Sequence, residues 1–516
     1  MDPLLTNEGA RPAVGRRWST LVMVAVTAVG LAGAATSVAF YLTDSQRREQ
    51  PSSPSSPCAA AQLTLVQSTP VGDFDVAPIA TSLPTHEAFV RLADAASASL
   101  DLTAMYCDLL GTEDRETYNS AEMQRFGAER GVAVFAALER AAQRGVAVRL
   151  LLGTLNDPMN STEVRTLLTY PSVAARTWDP ERWYGGGIMH LKLWHSDSLA
   201  AYIGSANADW KSLAQVKELG LLLNGSAATV DLGRVFEVFW QWAAPGVPAS
   251  SRTYFSERYQ AALRLPPWDV HVPVDERDTA AAPFALGTGA PLAAISSAAT
   301  PQALCGDAAD AGLPPSTAFV SASPGGALSA GRTFDEQALV DTIRSAEHNL
   351  SLSVMDFLPA SEYEGGHGGR PVHWPALADA LLAVAYAKPV RVRVLVSRWA
   401  HTSALIAPAM RQLADGLAAC ASGYQSCAGS LEIRFFEVPG WQNTTLPNST
   451  WPPFTRVNHA KFIVSDKRVN IGTSNWMWGY MFQTAGASYN TNASELVAAA
   501  QLIFDRDWES SYAKAL

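Results

Sequence analysis

Two short stretches of the chain carry residues that could do chemistry. In the first, His190-x-Lys192 is followed by four residues and Asp197, then by the apolar run AAYIGS and the turn Gly204-Ser205-Ala206-Asn207. In the second, His459-x-Lys461 is followed by four residues and Asp466, then by an apolar run and Gly472-Thr473-Ser474-Asn475. Residues two apart in a strand point to one face, so each His shares a face with its Lys. Brought together, the two stretches place two imidazoles, two ammonium groups and two amides around one space. That set can transfer a phosphoryl group without a metal. It holds a nucleophile, an acid for the leaving oxygen, and positive charge or amide donors (Lys192, Lys461, Asn207, Asn475) for the non-bridging oxygens. The competing reading is that each His and Lys decorates a solvated strand. The chain has only seven lysines, and two fall at the equivalent place in the two copies. Asp197 and Asp466 complete the motifs. As strand-ending residues they are expected to fix turns and hydrogen bonds rather than move protons.

The elements around the motifs repeat as well. EAFVRLADAASASLDLTAMY reads as a helix then a strand, and EQALVDTIRSAEHNLSLSVMDF repeats it. VFAALERAAQRGVAVRLLLG and PALADALLAVAYAKPVRVRVLVS form a second helix–strand pair. Each half closes with a helix, near Leu232–Trp242 and Glu495–Trp508. Alternating helices and strands predict an α/β chain with mostly parallel sheets covered by helices. The halves are read as residues 71–264 and 333–516, joined by an Ala/Pro/Gly-rich linker at 265–332.

Ahead of them, residues 1–18 read as a cytosolic tail and 19–43 as a charge-free span. At 1.5 Å per residue those positions reach about 37 Å as a helix, enough for a bilayer and longer than a secretory signal's apolar core. Residues 44–70, with QPSSPSSP, read as a stalk. Six N-x-[ST] sequons, at Asn160, Asn224, Asn349, Asn443, Asn448 and Asn492, all follow the span. They orient the catalytic region to the lumen as a single-pass type II membrane protein. Composition is globular, with 48% hydrophobic residues, and the net charge of −10 excludes a broad basic stripe for duplex nucleic acid. The five cysteines leave at least one unpaired. Cys420 and Cys427 close a short loop and are the favoured disulfide, and no Cys/His spacing beside them suggests a metal. His195 has no counterpart in the second motif and reads as a surface or packing residue. His367 reads as a loop residue. Trp476 and Trp478 read as buried packing, with base stacking the functional alternative.

The paired motifs resemble those of the phospholipase D superfamily. SANADWKSLAQVKELG (Ser205–Gly220), VMDFLPA and RVNHAKFIVSD are similar to the animal branch called phospholipase D three and four, over roughly residues 58–512. The resemblance implies two fused phospholipase D-like α-β-α halves forming one pseudo-two-fold catalytic unit behind an N-terminal transmembrane helix. It also implies a metal- and cofactor-free acid 5′-exonuclease, a homodimer, and a place in the endoplasmic reticulum, endosome or lysosome. By resemblance alone His190 is the nucleophile and His459 the acid; the near-symmetry of the motifs does not assign them. Glu218 matches by spacing a histidine-orienting acid of bacterial superfamily nucleases, and Glu495 is its looser counterpart. Surface acids are the competing reading for both. Relatives' cysteine pairs after the first motif and near the C-terminus have no match here, where LLLNGSAAT and AKAL stand. Two substrate classes remain open: single-stranded DNA or RNA consumed from 5′-hydroxyl ends, or a phospholipid such as phosphatidylglycerol, hydrolysed or transferred. A catalytically dead glycoprotein is disfavoured by intact motifs in both halves.

Overall fold

The computed structural model describes residues 62–247, 249, 252–256, 259–265, 302–304, 316–324, 332–362, 370–421, 426–444 and 450–516. The expected membrane span, tail and most of the stalk lie outside them, as do His367, Asn448, Cys58 and Cys305. No helix among the described residues is long and apolar enough to cross a membrane.

The helix–strand repeats form two mixed sheets. In the first, the helix Thr85–Ala95 buries Ala88, Phe89, Leu92 and Ala93, a stripe at helical spacing, and leads into the strand Ser99–Ala104. The helix Glu129–Gln143 leads likewise into Ala147–Leu152. Those two strands and Val173–Thr177 are parallel. The strand Leu193–Ser196, which follows the first His-Lys pair, is antiparallel to Ser99–Ala104. Ala200–Gly204, Glu218–Asn224 and Gln62–Ser68 then continue antiparallel. The second half repeats this plan: Asn349–Val354, Arg391–Ser397 and Ser430–Phe436 are parallel. Phe462–Ser465, Val469–Gly472, Gly486–Thr491 and Ser316–Ser323 are antiparallel. The expectation of mostly parallel sheets is therefore corrected. Each His-Lys strand makes a hairpin with the strand that follows it, Leu193–Ser196 with Ala200–Gly204 and Phe462–Ser465 with Val469–Gly472, which is necessarily antiparallel.

Two boundaries also move. Gln62–Ser68 was read as stalk and Ser316–Ser323 as linker, yet each is a strand of its half's sheet. Each precedes the first repeat helix, where no periodic partner flags it.

The sheets are buried on both faces. Leu193 joins a central core with Ile203 and Leu221, shared with Phe462, Ile471 and Tyr489 of the other half. Trp194, on the opposite face, stacks on Phe89 at 4.2 Å under the first helix. The closing helices Ala227–Trp242 and Ser494–Glu509 supply Phe236, Phe239, Ile503 and Phe504 to the shared core. Each such side chain contributes about 1.5–3 kcal/mol by burial, so the halves form one cooperative body. Cys420 and Cys427 are disulfide-bonded, and Cys107 is free and buried.

Candidate active site

Each His-Lys pair lies in an extended segment just before its strand rather than within it, and each segment pairs with the other half. His190 N–H donates to the Ala485 carbonyl (3.1 Å), and Ala485 N–H donates to Ile188 (3.0 Å). Symmetrically, His459 N–H donates to the Lys217 carbonyl (2.8 Å), and Lys217 N–H donates to Val457 (2.9 Å). Neither histidine is placed by its own half alone. The imidazole centroids stand 6.2 Å apart at 70°, a separation that leaves room for a phosphorus atom between them.

The motif aspartates anchor the far ends of the strands. Asp197 accepts from the backbone N–H groups of Ser97, Ala98 and Ser99. Asp466 accepts from those of Glu347, His348 and Asn349. These backbone hydrogen bonds hold both carboxyls below the usual range. Both aspartates lock the hairpin to the helix–strand turn of its half, and neither stands among the site's imidazoles.

Glu218 and Glu495 separate sharply. Glu218 begins a strand and is only 1% exposed. Its two oxygens lie 2.9 and 3.0 Å from His459 Nδ1. An ionised carboxylate only accepts, so Nδ1 carries the proton and Nε2 is left for the substrate. Glu495 sits exposed in the first turn of the closing helix, so the looser assignment is corrected. The true counterpart of Glu218 is Gly486. Leu219 N–H donates to Ser205 Oγ across 14 positions, and Ala487 N–H donates to Thr473 Oγ1 across the same 14. Counting from the two G-[ST]-x-N turns would have found it. A Cβ at Gly486 would stand 2.2 Å from Ser474 Oγ, so this side has no space for an acid. Among the described residues no carboxylate pairs with His190. The Thr473 backbone lies against it instead, and the Tyr480 ring packs edge-on at 5.0 Å.

The electrostatics follow this asymmetry. Burial, then Lys192, Lys461 and His459, pushes the His190 pKa well below the ordinary imidazole value. Burial also lowers His459, to about 4, but Glu218 opposes that shift. Lys192 Nζ donates to the His190 carbonyl (2.9 Å) and Lys461 Nζ to the His459 carbonyl (2.6 Å). Both ammonium groups are buried and depressed by desolvation, Lys461 to about 7. An anionic group between them would relieve that cost.

Asn207 and Asn475 are buried beside the lysines' strands, with Oδ1 of each unpaired. Asn475 Nδ2 donates to Asp356 (3.0 Å), a residue sequence reasoning passed over within VMDF. Asp356 is raised to about 7 by burial, against Lys461. Its positional counterpart, Tyr106, bonds Asp209, and the nearby Asp108 is also raised to about 7 by burial and Asp209. His195 is buried against Asp101 (3.5 Å), and Trp476 and Trp478 are buried packing. Among the described residues no three His, Cys, Asp or Glu side chains group as a metal site requires.

A family described as PLD3/4, PLD-like domain matches residues 76–265 and 311–441. The chain belongs to that phospholipase D family. It is 30% identical over 466 residues to phospholipase D Y of Dictyostelium discoideum, covering 89% of this chain and 93% of that one. It is 28% identical over 508 residues to the 5'-3' exonuclease PLD3 of Homo sapiens, covering 97% and 90%. The two relatives are equally similar and carry different activities in their names, so the names alone do not choose a substrate. The family assignment makes the chain a phosphodiesterase of mixed α/β fold.

Proposed function

We propose that the chain is a lumenal phosphodiesterase that degrades single-stranded DNA and RNA from 5′-hydroxyl ends through a phosphohistidine. The observation that carries the reading is the pair of imidazoles 6.2 Å apart, one from each half, only one of them backed by a carboxylate. His190, neutral and with no carboxylate partner among the described residues, attacks phosphorus. The P–O5′ bond breaks, and His459 Nε2 gives its proton to the leaving oxygen while Glu218 holds the imidazolium. Lys192, Lys461, Asn207 and Asn475 bind the non-bridging oxygens. His459, now neutral, takes a proton from water; the hydroxide attacks phosphorus, the P–N bond breaks, and a 3′-phosphorylated nucleotide leaves.

Recession of the site supports a nucleic-acid end over a lipid. His190 is 3% and His459 7% exposed. Half-buried Tyr106, facing Glu218 and Asp209, and Asp356, facing Lys461, put polar groups at the site's edge. Acid conditions suit this edge, because a neutral Asp356 beside Lys461 does not repel phosphates. An acidic lumenal compartment, a type II anchor at residues 19–43 and a homodimer complete the proposal. Asn160, Asn224, Asn349, Asn443 and Asn492 are all exposed, as glycan acceptors must be. The alternative substrate is a phospholipid such as phosphatidylglycerol, favoured by the relatives named phospholipase D. Incubation with a 3′-labelled single-stranded oligonucleotide and, in parallel, with phosphatidylglycerol vesicles separates the two. Stepwise shortening from the 5′ end is expected, and headgroup release without shortening would overturn the nuclease reading.

A further inference from the structure

The segment entering the second motif carries an unusual backbone. Phe454 has φ 60° and Arg456 φ 57°, a left-handed conformation that bulky residues adopt only at a cost of order 1–3 kcal/mol. Arg456 holds that conformation in place. It is fully buried, donates from Nε to Pro439 (2.7 Å) and from Nη1 to Val71 (2.8 Å), and lies 3.9 Å over the Trp451 ring. The strain presents Phe454 outward, 59% exposed. Its ring stacks on His401 at 4.7 Å and 14°, and His401 rests edge-on against Trp399 at 4.7 Å. Trp399 is buried with Val216 and Val457, and Met355 and Trp441 pack on the same cluster.

This platform shares an edge with the active site. Trp399 follows the end of Arg391–Ser397, and Met355 follows the end of the neighbouring Asn349–Val354. His459 enters from the same end, three residues after Arg456. Met355 immediately precedes Asp356, which holds Asn475. The platform therefore adjoins the His459 side of the site. If His459 protonates the leaving oxygen, that is the side on which the departing chain lies. A flat aromatic stack with one open face is what a nucleobase requires, and every base offers a π-face. An acyl chain needs no stacked geometry.

We infer that the Phe454–His401 stack, backed by Trp399, is a subsite that stacks a base of the 3′-side, departing portion of a single-stranded nucleic acid. The inference rests on the nuclease reading above and adds where the chain runs.

The test compares KM for single-stranded oligonucleotides of increasing length in the native full chain and in Phe454→Gly and Phe454→Trp. Glycine accepts φ 60° without strain, so Phe454→Gly keeps the loop while removing the ring. In the native protein KM falls as length grows to about 12 nucleotides, and in Phe454→Gly that gain is lost. KM for the long substrate rises between about 5-fold and about 150-fold, the range of one base–aromatic stack, and Phe454→Trp restores it. Native cleavage with an unchanged length dependence in Phe454→Gly overturns the subsite and leaves the nuclease reading standing. A loss in Phe454→Gly that appears on phosphatidylglycerol vesicles instead assigns the platform to a lipid surface and overturns it. A native protein that cleaves no oligonucleotide removes the nuclease reading and the subsite together.

Discussion

Replacing Glu218 by Gln isolates the asymmetry on which the assignment of roles depends. The amide keeps the shape and can still accept from His459 Nδ1, but it removes a buried negative charge 2.9 Å from that nitrogen. Two unit charges about 4 Å apart interact by about 4 kcal/mol at an effective permittivity near 20, an upper limit of roughly three pKa units. A carboxylate beside a cation moves pKa by about one to three units in practice. His459 starts at about 4 with Glu218 raising it, so the substitution pushes it lower still. At about pH 5 a group of pKa about 4 is roughly one-tenth protonated, and each further unit of depression removes another tenfold. The kcat/KM of Glu218→Gln on an oligonucleotide is therefore expected to fall about 10- to 1000-fold at that pH, with its alkaline limb displaced toward acid. A phosphodiester whose leaving group is p-nitrophenolate needs no proton and should lose far less. An unmoved pH profile, or equal losses on both substrates, would refute the view that Glu218 acts by charging His459.

Further outcomes follow from the same geometry. Activity should increase as pH falls from neutral toward about 4, because His459 must be protonated and its pKa is depressed, and it should persist in a metal chelator; a strict need for an added divalent ion would contradict the proton inventory. Asp197→Ala and Asp466→Ala should each lower unfolding free energy by about 1–3 kcal/mol, since each strands three backbone donors. Both folded pKa values are depressed, so this stabilisation is present above the unfolded carboxyl pKa and lost as pH falls through the folded value. Denaturant melts at neutral and acid pH, with the variants converging on native in acid, check the sign. Lys217→Met should cost about 1–3 kcal/mol and reduce turnover, because it removes the buried Lys217–Asp507 ion pair (Nζ–Oδ2 2.6 Å) beside the Glu218 strand and, among the described residues, leaves Asp507 to Arg506 alone (2.8 Å). Calorimetry with kcat measured on the folded fraction tests that.

The repeats were legible because helix and strand periodicities are local. The helices Thr85–Ala95 and Asp335–Ser345 and the strands after them fall where their patterns place them. Gln62–Ser68 and Ser316–Ser323 were not, because a lone strand before a helix has no periodic neighbour and is defined by a partner 150 to 173 residues away. The mixed strand direction was hidden for the same reason. In the site, His190, His459 and the lysines were legible from spacing alone. Glu495 was misplaced because an acid was sought where steric crowding admits only Gly486. Asp356 lay within a quoted motif, but its bond to Asn475 exists only once two loops meet.

The central claim is that the two halves build one site with a nucleophile on one side and an acid on the other. Acid-quenched single turnovers on an isotopically labelled substrate, followed by mass spectrometry of the protein, test it directly. The native protein should transiently carry a nucleoside 3′-phosphoryl group on His190, His459→Ala should accumulate the corresponding phosphodiester-derived adduct from an activated p-nitrophenyl ester without releasing it, and His190→Ala should carry none and turn over nothing. An adduct on His459, or substantial turnover of the natural substrate in either single variant, would contradict the assignment, and the latter would dismantle the shared site itself.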